Sequence, residues 1–144
     1  MSVKAILNVK GRRVVTIRRD ALVKEAVAML AHERIGAVVV TDDGGKTIAG
    51  ILSERDVIHA LDEHGARLLD LKVGDLMTEA VTAAKIDMHI DQVLEIMTQG
   101  RFRHMPVIEE GHLAGIVSIG DAVKARLEML ESEASQLKEY IFAR

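Results

Sequence analysis

Two Ser-x-x-Asp turns hold the side chains best placed to bind a ligand in this 144-residue chain. They are Ser53–Asp56 and Ser118–Asp121, and each follows an apolar run and precedes an amphipathic stretch. A serine or an aspartate at such a place caps the start of a helix. The same turn suits a nucleotide, because a helix N-terminus attracts phosphate and a carboxylate accepts hydrogen bonds from both hydroxyls of a ribose. The turns alone leave both interpretations open.

A basic segment, Arg101–Val107, contains the only proline of the chain, Pro106. A proline at the entry to a strand removes one ladder hydrogen bond, because it has no N–H, and thereby frees a strand edge. An exposed basic turn is one explanation of the segment. In the other, Arg103 and His104 contact a phosphate, and Met105 lies with the proline against a base.

Other kinds of chemistry are not indicated. Gly44–Thr47 resembles the end of a phosphate-binding P-loop, but the first glycine of that motif is missing and a strand follows, so we predict a hairpin turn. Gly115–Gly120 has one residue too many before its serine for a nucleophile elbow. The six histidines lack metal-ligand spacing, and cysteine is absent. We therefore expect no catalytic residue and no metal site.

Composition narrows the class of protein. Hydrophobic residues make up 49% of the chain but aromatic residues only 2%, which predicts an aliphatic core and argues against base stacking on a single-stranded nucleic acid. The formal net charge of −3 provides no basic field for DNA or an anionic membrane. No apolar run is long enough for a signal peptide or a membrane span. We expect a cytoplasmic protein without nucleic-acid or membrane partners.

The chain repeats itself at a nearly constant spacing. Gly50–Asp56 recurs as Gly115–Asp121, which is 65 residues later, and Val15-Thr16 recurs as Val81-Thr82, which is 66 residues later. Each half predicts the order β-α-β-β-α, because an i, i+3, i+4, i+7 apolar pattern lies between short apolar runs. The predicted strands are Val14–Ile17, Ala37–Val40 and Ile48–Leu52, then Val81–Ala83, Met105–Ile108 and Leu113–Val117. Two such halves would share one aliphatic core, since either alone is marginal in size.

The last predicted helix carries a heptad seam. Its members are Val123, Leu127, Leu130, Ala134, Leu137 and Ile141. This spacing is typical of a helix that pairs with another helix. The seam either packs back on its own domain or forms a homodimer contact, and we favour the homodimer.

These features resemble the cystathionine-β-synthase (CBS) domain, and the two copies resemble the tandem pair called a Bateman module. The resemblance rests on Gly-h-h-Ser-x-x-Asp in both halves (h, hydrophobic), on Arg103–Val107, and on Val73–Thr78, which is similar to the lead-in of the family. It implies an α+β fold of two β-α-β-β-α repeats packed as a pseudo-twofold pair, with an extended C-terminal helix. The expected boundaries are 1–66 for the first repeat, 67–126 for the second and 127–144 for the helix extension.

The resemblance also implies two clefts that bind adenosine-containing ligands such as AMP, ADP, ATP, NAD or S-adenosylmethionine. In one cleft Asp121 would hold the ribose and Ser118 the phosphate, while Arg103 and His104 would neutralise phosphate charge. The residues implied against the adenine are Met105, Pro106, Ala80, Val81 and Thr82.

The first repeat has residues for the same roles, but the segment beside them differs from that of the second repeat. Asp56, Ser53 and Arg55 match the motif, and the segment beside them contains Gly36, Ala37 and Val38. This segment has neither the proline nor the basic pair of the second repeat. Phosphate at this cleft would be held by Arg55, Arg12 or Arg13, or the ligand would differ.

The sequence therefore predicts a stand-alone regulatory module rather than an enzyme. It would bind an adenine nucleotide as a ligand, use no catalytic cofactor, and signal to a separate regulated partner protein of unknown identity. Two alternatives belong to other classes of function, an oligomerisation adaptor with empty clefts and a nucleotide-processing enzyme.

Overall fold

Apolar residues at strand and helix spacing build two small sheets covered by helices, as the computed structural model shows for residues 1–143. In chain order the elements are α1 (Val3–Lys10), β1 (Thr16–Ile17), α2 (Val23–Glu33), β2 (Ala37–Val40), β3 (Gly50–Ser53), α3 (Glu54–His64), a 3-10 turn (Gly65–Asp70), α4 (Val73–Leu76), β4 (Ala84–Lys85), α5 (Ile90–Gly100), β5 (His104–Glu109), β6 (His112–Ser118) and α6 (Ile119–Phe142). This is the predicted order β-α-β-β-α, twice, with short lead-in helices.

The two sheets have the same topology. Each has three strands with the middle one parallel to the first and antiparallel to the third. Ala37 pairs with Ser53 in the first sheet. His104 pairs with Ser118 in the second, so Ala37 and His104 hold equivalent positions. The predicted fold, an α+β pair of repeats with an extended C-terminal helix, is confirmed.

The lead-in helices cross between the repeats. The Val3 N–H donates to the Met88 carbonyl over 2.8 Å, so α1 packs on the second repeat. The Val73 N–H donates to the Ala21 carbonyl over 2.8 Å, so α4 packs on the first. Each helix therefore lies within one predicted repeat boundary but contributes to the core of the other repeat. The domain boundaries themselves stay a prediction.

The predicted strand over Val81–Ala83 is wrong, because β4 begins only at Ala84. In the first repeat the Val39 N–H donates to the Val15 carbonyl over 3.2 Å and holds the segment before β1 against the sheet. Pro106 stands at the position of Val39 and has no N–H to donate. The segment before β4 is therefore released from the sheet.

Gly44–Thr47 lies in a turn between β2 and β3, as predicted. The Asp43 carboxylate accepts hydrogen bonds from the backbone N–H of Lys46 at 3.0 Å and of Thr47 at 2.9 Å. The hydrogen bonds from Thr47, together with that from Thr41, hold the pKa of Asp43 far below its usual range. The glycines serve the hairpin, not a phosphate.

The C-terminal helix α6 is 24 residues long and continues beyond the second repeat. Ala122 and Ala125 near its start are buried. The large seam residues are exposed by 43–59% of their surface, and they are Val123, Leu127, Leu130, Leu137 and Ile141. Within residues 1–143 the seam is thus not packed back on its own domain, and the homodimer stays a prediction. In the same residues, none of the helices combines the length and apolar character needed to cross a membrane.

Candidate functional site

A cleft of about 650 Å³ is lined by residues of both repeats, and we call it the Asp56 cleft. The first repeat contributes Gly36, Ile51, Ser53, Glu54, Arg55, Asp56 and Ile58. The segment before β4 contributes Thr78, Ala80, Val81 and Thr82, and the loop between α5 and β5 contributes residues 100–104. The cleft therefore combines the Ser-x-x-Asp turn of one repeat with two loops of the other.

The Ser53–Asp56 turn caps α3 and still presents a carboxylate oxygen. The Ser53 hydroxyl accepts from the Asp56 N–H over 3.3 Å, and Asp56 Oδ2 accepts from the Ser53 N–H over 2.9 Å. The capping interpretation is thus correct for this turn. Oδ1 of Asp56 accepts from the Thr78 hydroxyl over a long 3.4 Å. Within residues 1–143 no cation pairs with this carboxylate, which leaves Oδ1 for a ligand's hydroxyl groups.

Three arginines stand at the cleft without an acidic partner. Arg55 Nη1 donates to the carbonyl of Arg101 over 2.8 Å and so connects α3 with the loop of the second repeat. Arg101 and Arg103 follow in that loop and line the cleft. None of the three forms an ion pair with a carboxylate of the described residues. A guanidinium in this state is a ready partner for an anion.

The His104 ring lies against the first repeat. A Cβ built on Gly36 would lie 2.7 Å from Cε1 of His104 and 2.6 Å from Oε1 of Glu54. Only a glycine leaves room for both side chains at this point. His104 thus forms a contact across the two repeats at one wall of the cleft.

This position shifts the titration of His104. Burial lowers the pKa of His104, and the cations Lys10 and Arg103 act in the same direction. The carboxylates Glu54 and Asp121 oppose the shift without reversing it. The ring is therefore neutral at pH 7.

The Ser118–Asp121 turn has a different environment. It forms the same capping box, but Lys10 Nζ lies 2.6 Å from Asp121 Oδ2 and also donates to the Ile116 carbonyl over 2.9 Å. Burial raises the pKa of Asp121, but the hydrogen bonds from Lys10 and Ser118 and the Lys10 charge outweigh it, so that the pKa lies below its ordinary value. We call Ile116, Ser118 and Asp121 with Lys10 the Asp121 site. Its carboxylate is already neutralised by the chain itself.

The structure regroups the site residues expected from sequence. Arg103, His104 and the segment 80–82 were expected beside Asp121, but they line the Asp56 cleft instead. The reason is that the pair packs so that the Ser53–Asp56 turn faces loops of the second repeat. Asp121 and Ser118 do not line this cleft.

Some expected residues lie in the cores or in ion pairs. Met105 and Val38 are fully buried, and Pro106 and Ala37 are also buried, because β2 and β5 are the central strands of their sheets. They therefore support the cleft from behind rather than line it. Arg12 pairs with Glu109 at 2.7 Å and Arg13 pairs with Glu33 at 3.1 Å, so neither lines the cleft.

Sequence reasoning missed Thr78, Ile58 and Glu54 as lining residues. Thr78 ends the lead-in motif and forms a bridge to Ile51, a pairing that only the fold shows. Ile58 is 65% exposed, two positions after Asp56. This exposure, which only the structure shows, makes Ile58 an apolar wall of the cleft.

The family model of the CBS domain matches residues 4–63 and 73–128. The chain is 34% identical over 125 residues to the mitochondrial CBS domain-containing protein CBSX3 of Arabidopsis thaliana. This match covers 85% of the chain and only 61% of the length of CBSX3.

Two solved structures are similar in fold. The CBS-domain containing protein ATU1752 from Agrobacterium tumefaciens is 49% identical with a TM-score of 0.84, and the match covers 88% of this chain and 99% of that one. The CBS domain protein PAE2072 from Pyrobaculum aerophilum, in complex with AMP, is 25% identical with a TM-score of 0.74, and the match covers 84% of this chain and 89% of that one. The chain therefore belongs to the CBS-domain family, as a tandem pair of CBS domains.

Proposed function

We propose that this chain is a regulatory module that binds an adenosine-containing ligand in the Asp56 cleft and has no chemistry of its own. The observation that carries the proposal is the juxtaposition of Asp56 from one repeat with the loops 80–82 and 101–104 from the other. A cleft of about 650 Å³ has the size of ordinary small-molecule sites.

The walls of the cleft suit the parts of an adenosine. Oδ1 of Asp56 accepts hydrogen bonds from the ribose hydroxyls, since it has only a weak contact with Thr78. The apolar side chains of Ile51, Ile58 and Val81 lie against the base in place of a stacked aromatic ring. The AMP complex of the Pyrobaculum aerophilum relative supports this class of ligand.

One ligand binds per chain. At the Asp121 site, Oδ2 already accepts from the Ser118 N–H and from Lys10 Nζ at 2.6 Å, so the lysine competes with the hydroxyls of a ribose for this carboxylate. Lys10 is further held by its hydrogen bond to the Ile116 carbonyl. The two predicted clefts are therefore unequal, and we place the ligand in the Asp56 cleft.

Regulation follows because both repeats contribute walls to the cleft. A ligand that contacts both Asp56 and the loop 101–104 connects the two repeats and stabilises one arrangement of the pair. The exposed seam of α6 brings two chains together as a homodimer, which transmits the change to a separate partner protein in the cytoplasm. Neither nucleic acid nor membrane takes part.

The test compares two matched variants of the full chain, Asp56→Ala and Asp121→Ala. Both lose the same capping box, and Asp121→Ala loses the contact with Lys10 as well, so a smaller loss of affinity in that variant does not reflect a smaller loss of stability. By calorimetry with AMP as the probe, we expect one site in the wild type, a loss of at least about thirtyfold in affinity for Asp56→Ala, and a change within about twofold for Asp121→Ala. Equal losses in both variants would refute the assignment to the Asp56 cleft.

The exposed seam favours a second candidate, an oligomerisation adaptor whose clefts stay empty. This adaptor would show no thermal shift with adenosine, AMP, ATP or NAD, and removal of residues 127–144 would convert its dimers to monomers.

A nucleotide-processing enzyme is tested by incubation with ATP followed by chromatography, and we expect no nucleotide turnover.

A further inference from the structure

The second half of α6 stands apart from the rest of the fold. Met129 is its last residue that packs on the core, and every residue from Leu130 to Phe142 is exposed. An isolated helix of this length, about 12–15 residues, is marginal in water, because protein helices are stabilised mostly by packing of an apolar face. The seam residues Leu130, Leu137 and Ile141 provide such a face, but 44–59% of each is exposed. Within residues 1–143, therefore, this face has no cover.

The heptad spacing of the seam determines which side chains flank it. In paired helices the residues at positions e and g lie beside the seam and contact the partner helix. With Leu127, Ala134 and Ile141 at position a, positions e are Lys124, Glu131 and Lys138, and positions g are Arg126, Glu133 and Tyr140. All of the flanking residues except Tyr140 carry a charge.

Three of these charges lack a partner in their own chain. Among residues 1–143, Glu131, Glu133 and Lys138 form no ion pair. Charges on one helix pair at a spacing of three or four residues, and none of the three has an opposite charge at that spacing. These side chains are therefore available to a second helix.

The order of the charges distinguishes the two ways in which a second copy pairs with the seam. In a parallel, in-register pair each g residue faces the e residue five positions later in the partner. Arg126 then faces the partner's Glu131, and Glu133 faces the partner's Lys138, so both contacts join opposite charges and the twofold axis repeats them. In the antiparallel pair that matches all six seam residues, Lys124 would face the partner's Lys138, and Glu131 and Glu133 would each face their own copy. These are contacts between like charges.

We propose that the exposed half of α6 pairs with the same segment of a second copy of this chain as a parallel, in-register coiled coil. The inference rests on the homodimer of the proposed function and adds its orientation. At the start of α6 the Ile119 N–H donates to the Arg103 carbonyl over 2.8 Å. Parallel helices therefore bring the loops 101–104 of both chains, which line the two Asp56 clefts, to the same end of the pair.

Charge exchange in the full chain tests the contacts, with the dimer dissociation constant measured by sedimentation equilibrium. We expect Glu133→Lys to weaken the dimer about tenfold, because two attractive contacts become repulsive, and the double variant Glu133→Lys with Lys138→Glu to restore it to within about twofold. The matched control is Glu139→Lys, which makes the same change of charge on the side of α6 away from the seam and should change the constant less than about twofold. A single variant without effect, or a double variant without rescue, would overturn the parallel pairing.

Disulfide formation measures the orientation directly, since the chain contains no cysteine. In the parallel pair, Ile141→Cys places two thiols across the seam, and we expect oxidised glutathione to link the chains. In the antiparallel pair residue 141 lies against Val123, about 27 Å from its own copy at 1.5 Å per residue. Glu139→Cys is the control on the outer side and should link much more slowly, and equal rates for the two variants would overturn the inference.

The oligomeric state separates the inference from the proposed function. A dimer that persists after removal of residues 130–144 would overturn the inference and leave a homodimer in place. A wild-type chain that stays monomeric would overturn both the inference and the homodimer. Calorimetry with AMP tests the Asp56 cleft independently in each case.

Discussion

Ser53–Asp56 and Ser118–Asp121 form the same capping box, and in both the serine N–H lies 2.9 Å from an aspartate oxygen. Asp56 then faces a cleft with no cation paired to it among residues 1–143. Asp121 is paired with Lys10 at 2.6 Å. One local structure thus serves as a candidate ligand site in one repeat and as an anchor for α1 in the other.

The difference arises in the segments that lead into each repeat. The four-residue helix α4 ends at Leu76, and the chain then extends so that Thr78 and Ile51 exchange hydrogen bonds of 2.8 and 3.0 Å. The helix α1 continues for eight residues, and Lys10 at its end donates to the carbonyl of Ile116. Helix propensity does not explain the unequal lengths, because Met77, Glu79 and Ala80 after α4 are good helix formers. The bridge between Thr78 and Ile51 instead holds the chain extended after α4.

The comparison separates the part of the duplicated motif that folding requires from the part that differs between the two repeats. Both helices need their N-terminal N–H groups satisfied, so both copies keep serine and aspartate. The folding requirement does not extend to the arginines, and Arg55 and Arg103 correspond to Gly120 and Gly36 in the other copy. The motif alone therefore does not distinguish the two turns, but their charged neighbours do.

The largest expected effect is a difference in stability between two alanine substitutions, each at a glycine that packs against one of the lead-in segments. A Cβ on Gly50 would lie 2.9 Å from the backbone oxygen of Thr78, and a Cβ on Gly115 would lie 2.8 Å only from side-chain atoms of Leu7. Backbone held by two hydrogen bonds gives way less easily than a side chain. We expect Gly50→Ala to lower the free energy of unfolding by about 3 kcal/mol and Gly115→Ala by about 1 kcal/mol, measured by urea denaturation.

A double-mutant cycle sharpens this result. Leu7→Ala should offset part of the cost of Gly115→Ala, since it removes the contacted atoms. Met77→Ala should offset only the part of the Gly50→Ala cost that comes from Met77 Sδ, 2.7 Å away, because the Thr78 carbonyl stays in place. Equal costs for the two glycine variants, or full rescue of Gly50→Ala by Met77→Ala, would contradict the distinction between the lead-ins.

The elements of the fold were predictable because they depend on local patterns. Helical spacing in α2 and α5 and the apolar runs of the hairpins each specify one element, and the repeat doubles the signal. Strand β4 was misplaced since the release of residues 81–83 depends on a bond that Pro106 cannot make to a distant segment. Local patterns do not include such a bond.

The grouping of the site was not predictable, because it depends on how the two repeats face each other. The predicted hairpin places Arg103 near Ser118, and the register agrees, because the next residue, His104, pairs with Ser118. Packing nevertheless directs Arg103 into the Asp56 cleft. The partner of Asp121 was equally hidden, since Lys10 is 111 residues away in sequence.

A smaller effect is expected from removal of the Lys10 contact. The side chains of Lys10 and Asp121 are 34% and 26% exposed, so solvent screens the pair and we expect Lys10→Met to cost about 1 kcal/mol at pH 7. The folded-state pKa of Asp121 is lowered below 3.8, so the stabilisation is present above that value and is lost as the pH falls through the lowered pKa. Urea denaturation at pH 7 and at pH 2–3 measures both.

The same variant tests whether Lys10 alone closes the Asp121 site. We expect calorimetry with AMP to give one ligand per Lys10→Met chain, because Gly120, which stands at the position of Arg55, supplies no charge for a phosphate. Two ligands per chain would show that the two sites differ only by this lysine. A cost that persists undiminished at pH 2–3 would show that the contact is not ionic.

The smallest effect concerns His104, whose equivalent in the first repeat is Ala37. Burial lowers the pKa of His104 below 6.5, so the unfolded chain binds more protons than the folded one once the pH falls below that value. The contribution of the neutral ring is therefore intact above pH 6.5 and declines as the pH falls toward the lowered pKa. His104→Ala, which makes the second repeat like the first, should flatten the dependence of unfolding free energy on pH between 7.5 and 5. The control is His59→Gln, because His59 is exposed, and this variant should keep the wild-type slope. An unchanged slope in His104→Ala would show that the ring of His104 does not titrate with folding.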